Sequence, residues 1–187
     1  MPTLRYTRPA ILLHWSIAAL VLIQIALGFA TDWTAGPQSD SLLAQHVRVG
    51  LLIFAMMALR VAWRLANRPP PMPVAVPRWR QKIAPLVYAA FYLLLVLLPV
   101  TGYILWAWTG PRLSYWGLGT VPILFTGGDD ETWRSIAGYA HEYGGYAITA
   151  LFLLHIAAAF HHQFVAKDMR ISDRMGLAPL DDAHRAD

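Results

Sequence analysis

The sequence of 187 residues contains no cysteine, and only 14% of its residues are charged. The absence of cysteine excludes disulfide bonds, thiolate zinc sites, iron–sulfur clusters and covalent haem attachment through Cys-x-x-Cys-His. A soluble domain carries about a quarter charged residues, so this chain has too few polar side chains to cover a soluble surface. Because 57% of the residues are hydrophobic, the composition indicates a membrane protein, in which histidine, carboxylate or methionine would hold any metal.

Four apolar runs are long enough to cross a bilayer, which takes roughly 20 residues of helix. They cover approximately residues 10–30, 42–66, 84–108 and 136–165. We therefore predict an all-α fold, an integral membrane four-helix bundle over residues 1–175, followed by a polar cytoplasmic tail over 176–187. The proline-rich stretch 67–77, between the second and third runs, is predicted to be a stiff, extended connector.

Basic residues are concentrated on one side of the predicted bundle. Twelve of the 15 lysines and arginines precede the first run, flank the connector or lie in the tail, whereas Arg48, Arg112 and Arg134 fall on the other side. By the positive-inside rule, this distribution predicts that both termini are cytoplasmic. The excess of positive charge is thus explained by topology in a lipid bilayer, and no nucleic-acid partner is expected.

Histidines inside membrane spans are energetically costly and are therefore candidates for function. With the termini inside, His46 and His141 lie near the outer face of the membrane, and His14 and His155 lie nearer the inner face. His141 and His155 are 14 residues apart, close to four helical turns, so they project from nearly the same face of one helix. Depth therefore pairs His46 with His141 and His14 with His155.

Two histidines that face each other from different helices supply the axial ligands that a haem iron requires. Two such pairs predict two haems stacked within the bundle, with their irons roughly 20 Å apart. A small residue follows every candidate ligand by one turn, which leaves space for a flat macrocycle. These residues are Ala18 after His14, Gly50 after His46, Gly145 after His141 and Ala159 after His155. Arg60 lies 14 residues after His46, where its guanidinium could neutralise a haem propionate.

Other roles for these histidines stay open from the residues alone. A histidine in a helix is usually a hydrogen-bonded packing residue, and glycine is common where membrane helices pack. Zinc or copper would use the same side chains, although a catalytic zinc usually has three protein ligands at one depth. His161 and His162, at the inner end of the last span, are candidates for binding a quinone carbonyl or relaying a proton, or else are interfacial anchors. The outer segment 109–134 covers a haem, admits a substrate or is an ordinary connector.

Short motifs in all four spans resemble those of the bacterial cytochromes b561, which are four-helix dihaem membrane cytochromes. In chain order they are Leu13-His14-Trp15, His46-Val47-Arg48-Val49-Gly50, Leu59-Arg60, Leu98-Pro99-Val100-Thr101-Gly102, His141-Glu142 and Leu154-His155. The resemblance extends from Tyr6 to about Met175. It implies two haems b, bound by the same two histidine pairs that depth predicts, in a protein of the bacterial inner membrane.

The resemblance also implies an oxidoreductase that exchanges electrons with ubiquinone and, in some members, oxidises superoxide at the periplasmic face. The electron donor at that face is otherwise undefined. The alternative is a haem-bearing membrane anchor that passes electrons for a partner dehydrogenase, as related cytochrome b subunits do. A third interpretation, a small transporter with histidine proton relays, lacks the inverted repeats typical of such proteins.

Overall fold

Four long helices make up most of the chain. The computed structural model describes residues 5–72, 76–109, 112–124, 131–167 and 174–176. The helices are α1 (Arg8–Asp32), α2 (Pro37–Ala66), α3 (Arg78–Thr109) and α4 (Glu131–Phe160), and a short π-helix (His161–Ala166) continues α4. All four are long and apolar enough to cross a membrane. The prediction of an all-α membrane bundle with four spans is therefore confirmed.

Each helix begins before the apolar run that predicted it. Helix α1 starts at Arg8 instead of residue 10, α2 at Pro37 instead of 42, α3 at Arg78 instead of 84 and α4 at Glu131 instead of 136. Hydropathy detects only the part of a helix that is buried in hydrocarbon, whereas helical hydrogen bonding continues into the polar interface. In α1 and α2 a proline in the first turn also fixes φ at a helical value.

Some predicted features are only partly described. Residues 67–72 have no helix or strand, as expected for an extended connector, and 73–75 lie outside the described residues. The predicted tail lies outside them from 177 onward. The end of the fourth predicted span, 161–165, is π-helical rather than α-helical.

A packed apolar layer fills the middle of the bundle. Its buried members come from all four helices and are Ile17, Val21, Val49, Ile53, Met57, Leu95 and Ile148. On α2 they fall between His46 and Arg60, and on α4 the layer falls between His141 and His155. Because helices associate in lipid through close packing, this layer fixes how the four helices face one another. It also separates the two levels of histidines.

Segments that are distant in the sequence meet at one end of the bundle, which we name the inner end. The backbone amide of Tyr6 donates to the carbonyl of Arg174 at 3.2 Å. The Arg174 guanidinium donates to the carbonyls of Pro71 at 2.9 Å and Pro70 at 3.3 Å. The start of the chain, the connector and residues 174–176 therefore lie on the same side. That this side is cytoplasmic stays a prediction.

Residues 112–124 fold over the opposite, outer end. The Val121 amide donates to the Leu113 carbonyl at 2.8 Å and closes a hairpin. The Arg48 side chain of α2 donates through Nε to the Ser114 carbonyl at 2.8 Å, and Leu113 packs against the buried Trp106 of α3. This part of the predicted outer segment is thus a cover held on α2 and α3, while residues 125–130 lie outside the described ranges.

A chain without cysteine allows single introduced cysteines to report the topology. Gln38→Cys at the start of α2 and Arg78→Cys at the start of α3 replace exposed residues at opposite ends of the bundle. We expect a membrane-impermeant maleimide to label Gln38→Cys in intact spheroplasts and Arg78→Cys only after lysis. The reverse pattern would invert the topology, and labelling of both without lysis would contradict the four-span arrangement.

Candidate cofactor site

The four membrane histidines form two facing pairs, one at each level of the bundle. The ring centroids of His46 and His141 are 5.9 Å apart, with 78° between the ring planes. Those of His14 and His155 are 6.3 Å apart, with 79° between the planes. The structure thus brings together the same pairs that depth predicts. Their role as ligands stays a prediction.

The separation within each pair suits a metal ion held between two rings. Metal–imidazole bonds of about 2 Å each, added to the two ring radii, place the centroids of opposed ligands about 6 Å apart. A direct hydrogen bond between ring nitrogens would bring the centroids about 1 Å closer. Both observed separations, 5.9 and 6.3 Å, match the metal-bridged distance.

Space for a large ligand exists between α4 and the first two helices. Helix α1 packs along α2, and α3 packs along α4. Within the described part of the chain, the α4 backbone lies farther from α1 and α2 than from α3, and histidine rings bridge the gap. A cavity of about 900 Å³ lies here and is lined by His46, His141, Gly50 and Gly145. Ligand cavities measure about 300–1,000 Å³, so this one has room for a macrocycle.

Two glycines that the sequence analysis did not single out as site residues allow the outer histidine rings to lie where they do. A Cβ on Gly102 would be 2.8 Å from Cε1 of His141, and a Cβ on Gly28 would be 3.3 Å from Cε1 of His46. The sequence contains a pattern that could have identified Gly28. This glycine lies 14 residues after His14, and the same interval relates the two histidine levels on α2 and α4. Gly102 lies in the recognised α3 motif, but its contact depends on how α3 is rotated.

The predicted glycines Gly50 and Gly145 occupy different surroundings within the cavity. A Cβ on Gly50 would be 3.2 Å from Nε2 of Gln24, so this glycine makes room for a buried amide on α1. No atom would meet a Cβ on Gly145 within 4 Å, and Gly145 lines the cavity. Gly145 therefore leaves the space beside the outer pair open, while Gly50 serves helix packing as well; their contact with a cofactor stays a prediction.

His141 is oriented through its Nδ1 atom. Nδ1 lies 3.1 Å from the Leu98 carbonyl and 3.1 Å from the Thr101 hydroxyl. Because a carbonyl only accepts hydrogen bonds, Nδ1 carries the proton, and the lone pair on Nε2 remains for a metal. Thr101 and the Leu98 carbonyl are functional groups that the sequence analysis assigned no role, although both belong to the recognised α3 motif.

Buried polar atoms without hydrogen-bond partners lie near both pairs. Among the described residues these are Nδ1 of His46, Oε1 of Gln24 and Nη1 of Arg60. The Gln24 backbone approaches the His46 ring without hydrogen-bonding geometry. An unsatisfied buried polar group costs about 1–3 kcal/mol, so these atoms indicate a ligand that would satisfy them.

Arg60 lies beside the inner pair, where the sequence placed it. Its charge is close enough to interact with His14 and His155, and its Nη1 is buried without a hydrogen bond in the described structure. The inner pair also contacts α3, since the Phe91 ring lies 5.2 Å from the His155 ring. A guanidinium at this position can bind an anionic group of a cofactor.

His161 and His162 lie in the π-helix beyond the inner pair. Their rings are 6.1 Å apart, and the side chain of His161 is exposed whereas that of His162 is half-buried. No cluster of three or more histidine, aspartate or glutamate side chains suited to a metal occurs within the described ranges. The two facing pairs are the candidate ligand sets.

Comparison with known proteins identifies the family. The sequence model described as prokaryotic cytochrome b561 matches residues 5–176. The chain belongs to the prokaryotic cytochrome b561 family. It is therefore a multi-pass membrane cytochrome that binds b-type haem and takes part in electron transfer.

Relatives at low identity match nearly the whole chain. Cytochrome b561 homolog 1 of Escherichia coli K12 is 26% identical over 174 residues, covering 88% of this chain and 93% of the relative. Homolog 2 of the same organism is 27% identical over 177 residues, or 90% and 89%. Cytochrome b562 of Cereibacter sphaeroides is 27% identical over 169 residues, or 87% and 90%.

The residues at both levels fit a b-type haem. Such a haem is held through its axial ligands without covalent attachment, which suits a chain without cysteine. The outer level offers opposed imidazoles and a large cavity. The inner level offers opposed imidazoles and a buried guanidinium nitrogen that lacks a partner in the described structure.

The contact between Gly102 and His141 predicts a selective loss of haem. A methyl group in Gly102→Ala would lie 2.8 Å from the ring, so we expect the ring to move away from its Leu98 and Thr101 partners. Disturbing such an orienting contact weakens binding by about 10- to 100-fold. Because the sequence predicts two haems, absorbance of the reduced protein, with haem counted per chain, should show loss of one of them.

The matched control for this variant is Gly138→Ala, also in a span and in the same cavity lining. Its Cβ would lie 4.0 Å from Leu105, an ordinary contact, and full haem content is expected. Equal haem content in the two variants would contradict the positioning role of Gly102.

Proposed function

We propose that this cytochrome transfers electrons across the membrane with two b-type haems, one held by His46 and His141 and the other by His14 and His155. The observation that carries this proposal is the presence of two opposed imidazole pairs in one bundle, with centroids 5.9 and 6.3 Å apart. A single pair would serve one face of the membrane. Pairs on both sides of the apolar layer serve transfer between the faces.

When bound, each haem supplies one-electron oxidation and reduction at its iron. The two imidazoles of a pair would hold the haem, and the group would supply electron transfer to partners that do not themselves bind the metal. His141 keeps its Nε2 lone pair free because Nδ1 donates to Leu98. Arg60 would compensate the negative charge of a propionate at the inner level.

The hairpin 112–124 supports the entry of electrons at the outer end. Leu113 of the hairpin lines the cavity that contains the outer histidines. Gln45 and Arg48, which flank His46 in the sequence, contact the hairpin through the Trp116 indole at 3.1 Å and the Ser114 carbonyl at 2.8 Å. A donor that binds at the hairpin would thus lie next to the outer pair.

Charges at the outer cavity bear on the kind of donor. Its described lining includes three carboxylates, Asp32, Asp40 and Glu142, and one guanidinium, Arg134. This excess of negative charge opposes the approach of an anion such as superoxide. A neutral quinol or a protein donor is therefore better supported as the partner at this end.

We place quinone reduction at the inner end, next to His161 and His162. The half-buried His162 ring and the exposed His161 ring offer hydrogen-bonding groups to a quinone carbonyl and a route for protons from the cytoplasm. The irregular hydrogen bonding of a π-helix is frequent at functional sites. The proposed electron acceptor at this site is ubiquinone in the bacterial inner membrane.

A membrane anchor that passes electrons for a partner dehydrogenase is the second candidate. The observation in its favour is the exposed apolar tip of the hairpin, where Leu118 is 86% exposed and available to a partner. Activity of the isolated chain distinguishes the two functions. Rapid quinone-linked turnover without any other subunit supports the independent oxidoreductase, whereas reduction only in the presence of a partner supports the anchor.

Removing one ligand from each pair tests the two-haem assignment. We expect wild type to contain two b-type haems, and His14→Ala and His46→Ala each to lose one, because a single imidazole cannot hold a haem as strongly as two. The reduced-minus-oxidised spectrum and a haem count per chain measure this. His184→Ala, in the predicted polar tail, is the control with full content. One haem in wild type, or none lost in either variant, would refute the assignment.

Removing both candidate quinone residues tests the inner site. In His161→Ala/His162→Ala we expect quinone-linked oxidation of the reduced cytochrome to slow by about 10²-fold or more, with both haems still bound. Stopped-flow absorbance gives the rate. Phe164→Ala, which truncates an exposed side chain of the same π-helix, should leave the rate unchanged. Wild-type kinetics in the double variant would remove the two histidines from the mechanism.

A further inference from the structure

A second cavity, of about 590 Å³, lies at the inner end of the bundle between α2 and α3. It is separate from the histidine pairs, and we name it the α2/α3 inner cavity. Its polar lining consists of Tyr6, Arg64, Arg68, Gln81, Tyr88, Tyr92 and Arg174. Its apolar lining includes Val61, Leu65, Pro85 and Ala89.

The charge of this cavity is positive. Three arginines line it, and the described lining residues include no aspartate or glutamate. Arg174 is only 8% exposed, and its guanidinium is fixed by the Pro70 and Pro71 carbonyls. It also lies over the Tyr6 ring, with its Cζ 5.4 Å from the ring centroid. A fixed, buried arginine gives the cavity a positive charge that exposed side chains alone would not hold in place.

The two remaining arginines stand at the mouth of the cavity. Arg64 is in the last turn of α2, its Cζ lies 6.0 Å from the centre of the Tyr88 ring, and Arg68 follows four residues later. Both are exposed. Guanidinium groups in this arrangement can bind the oxygens of a phosphate from two directions.

The position of the cavity in the membrane indicates whether this phosphate belongs to a lipid or to a soluble anion. Arg64 lies in the last turn of the second span, and Arg68 and Arg174 lie outside the spans at the inner end. Val61 of α2 and Ala89 of α3 lie within the spans. The polar mouth therefore falls at head-group level and the apolar part at the level of acyl chains. A soluble anion would gain nothing from the apolar part.

We propose that the α2/α3 inner cavity binds an anionic phospholipid, with its phosphodiester at Arg64, Arg68 and Arg174 and the start of an acyl chain beside Val61 and Ala89. Basic pockets between membrane helices at the cytoplasmic face are sites for anionic head groups. The inference does not depend on the proposed electron-transfer route, because it uses none of the haem-site residues.

The test is native mass spectrometry of the full, haem-loaded chain in detergent, titrated with phosphatidylglycerol, phosphatidylcholine or inorganic phosphate. We expect wild type to retain phosphatidylglycerol in preference to phosphatidylcholine. Removing two charges in Arg64→Gln/Arg68→Gln should weaken phosphatidylglycerol binding about thirty-fold. The control Arg78→Gln/Lys82→Gln removes equal charge at the same end of the bundle, outside the described lining, and should bind as wild type does.

A further variant separates lipid from soluble phosphate. Ala89→Trp fills the apolar part of the cavity and should abolish retention of phosphatidylglycerol, with the haem spectrum reporting an intact fold. Equal binding of the two lipids by wild type, or equal losses in the two charge variants, would overturn the proposal. The proposal would also be overturned if an equal concentration of inorganic phosphate displaced phosphatidylglycerol and if Ala89→Trp bound this lipid as wild type does.

Discussion

The opposition of imidazole rings across the gap beside α4 is the interaction on which the rest of this structure depends. Polar rings are costly in a membrane span, and the haem iron that we propose between them would offset that cost. Helix α3 supports the arrangement because the Leu98 carbonyl accepts a hydrogen bond from Nδ1 of His141. Gly28 and Gly102 support it by leaving room for the outer rings. Helix packing, backbone hydrogen bonding and small residues together fix the positions of the four histidine side chains.

The apolar layer between the two histidine levels is the second determinant. Buried side chains such as Ile53 and Met57, each 2% exposed, exclude water and ions from the middle of the bundle. Below this layer, Arg60 holds a positive charge within a span, which costs about 3 kcal/mol or more when no anion compensates it. Arg60 lies beside His14 and His155, where a haem propionate would restore neutrality.

Features that follow from position along a helix could be predicted from the sequence, whereas features that follow from contacts between helices could not. Apolar length predicted the four spans, and the interval between His141 and His155 predicted the pairing that the structure shows. The role of Gly102 depends on the rotation of α3, which has no histidine and no charged residue in its apolar part to mark a face. The Leu98 partner is a backbone carbonyl, which any residue would provide. The π-helix is a change of hydrogen-bond register that hydropathy does not detect.

All four helices take part at both levels of histidines. Helix α4 carries one histidine of each pair, and α3 touches both of them, through Leu98 and Thr101 at His141 and through Phe91 at His155. Helix α1 carries His14 of the inner pair and makes room for His46 at Gly28. Helix α2 carries His46 of the outer pair and places Arg60 beside the inner pair. A shift or rotation of any one helix would therefore disturb both levels, whereas a local change such as Gly102→Ala acts on one level.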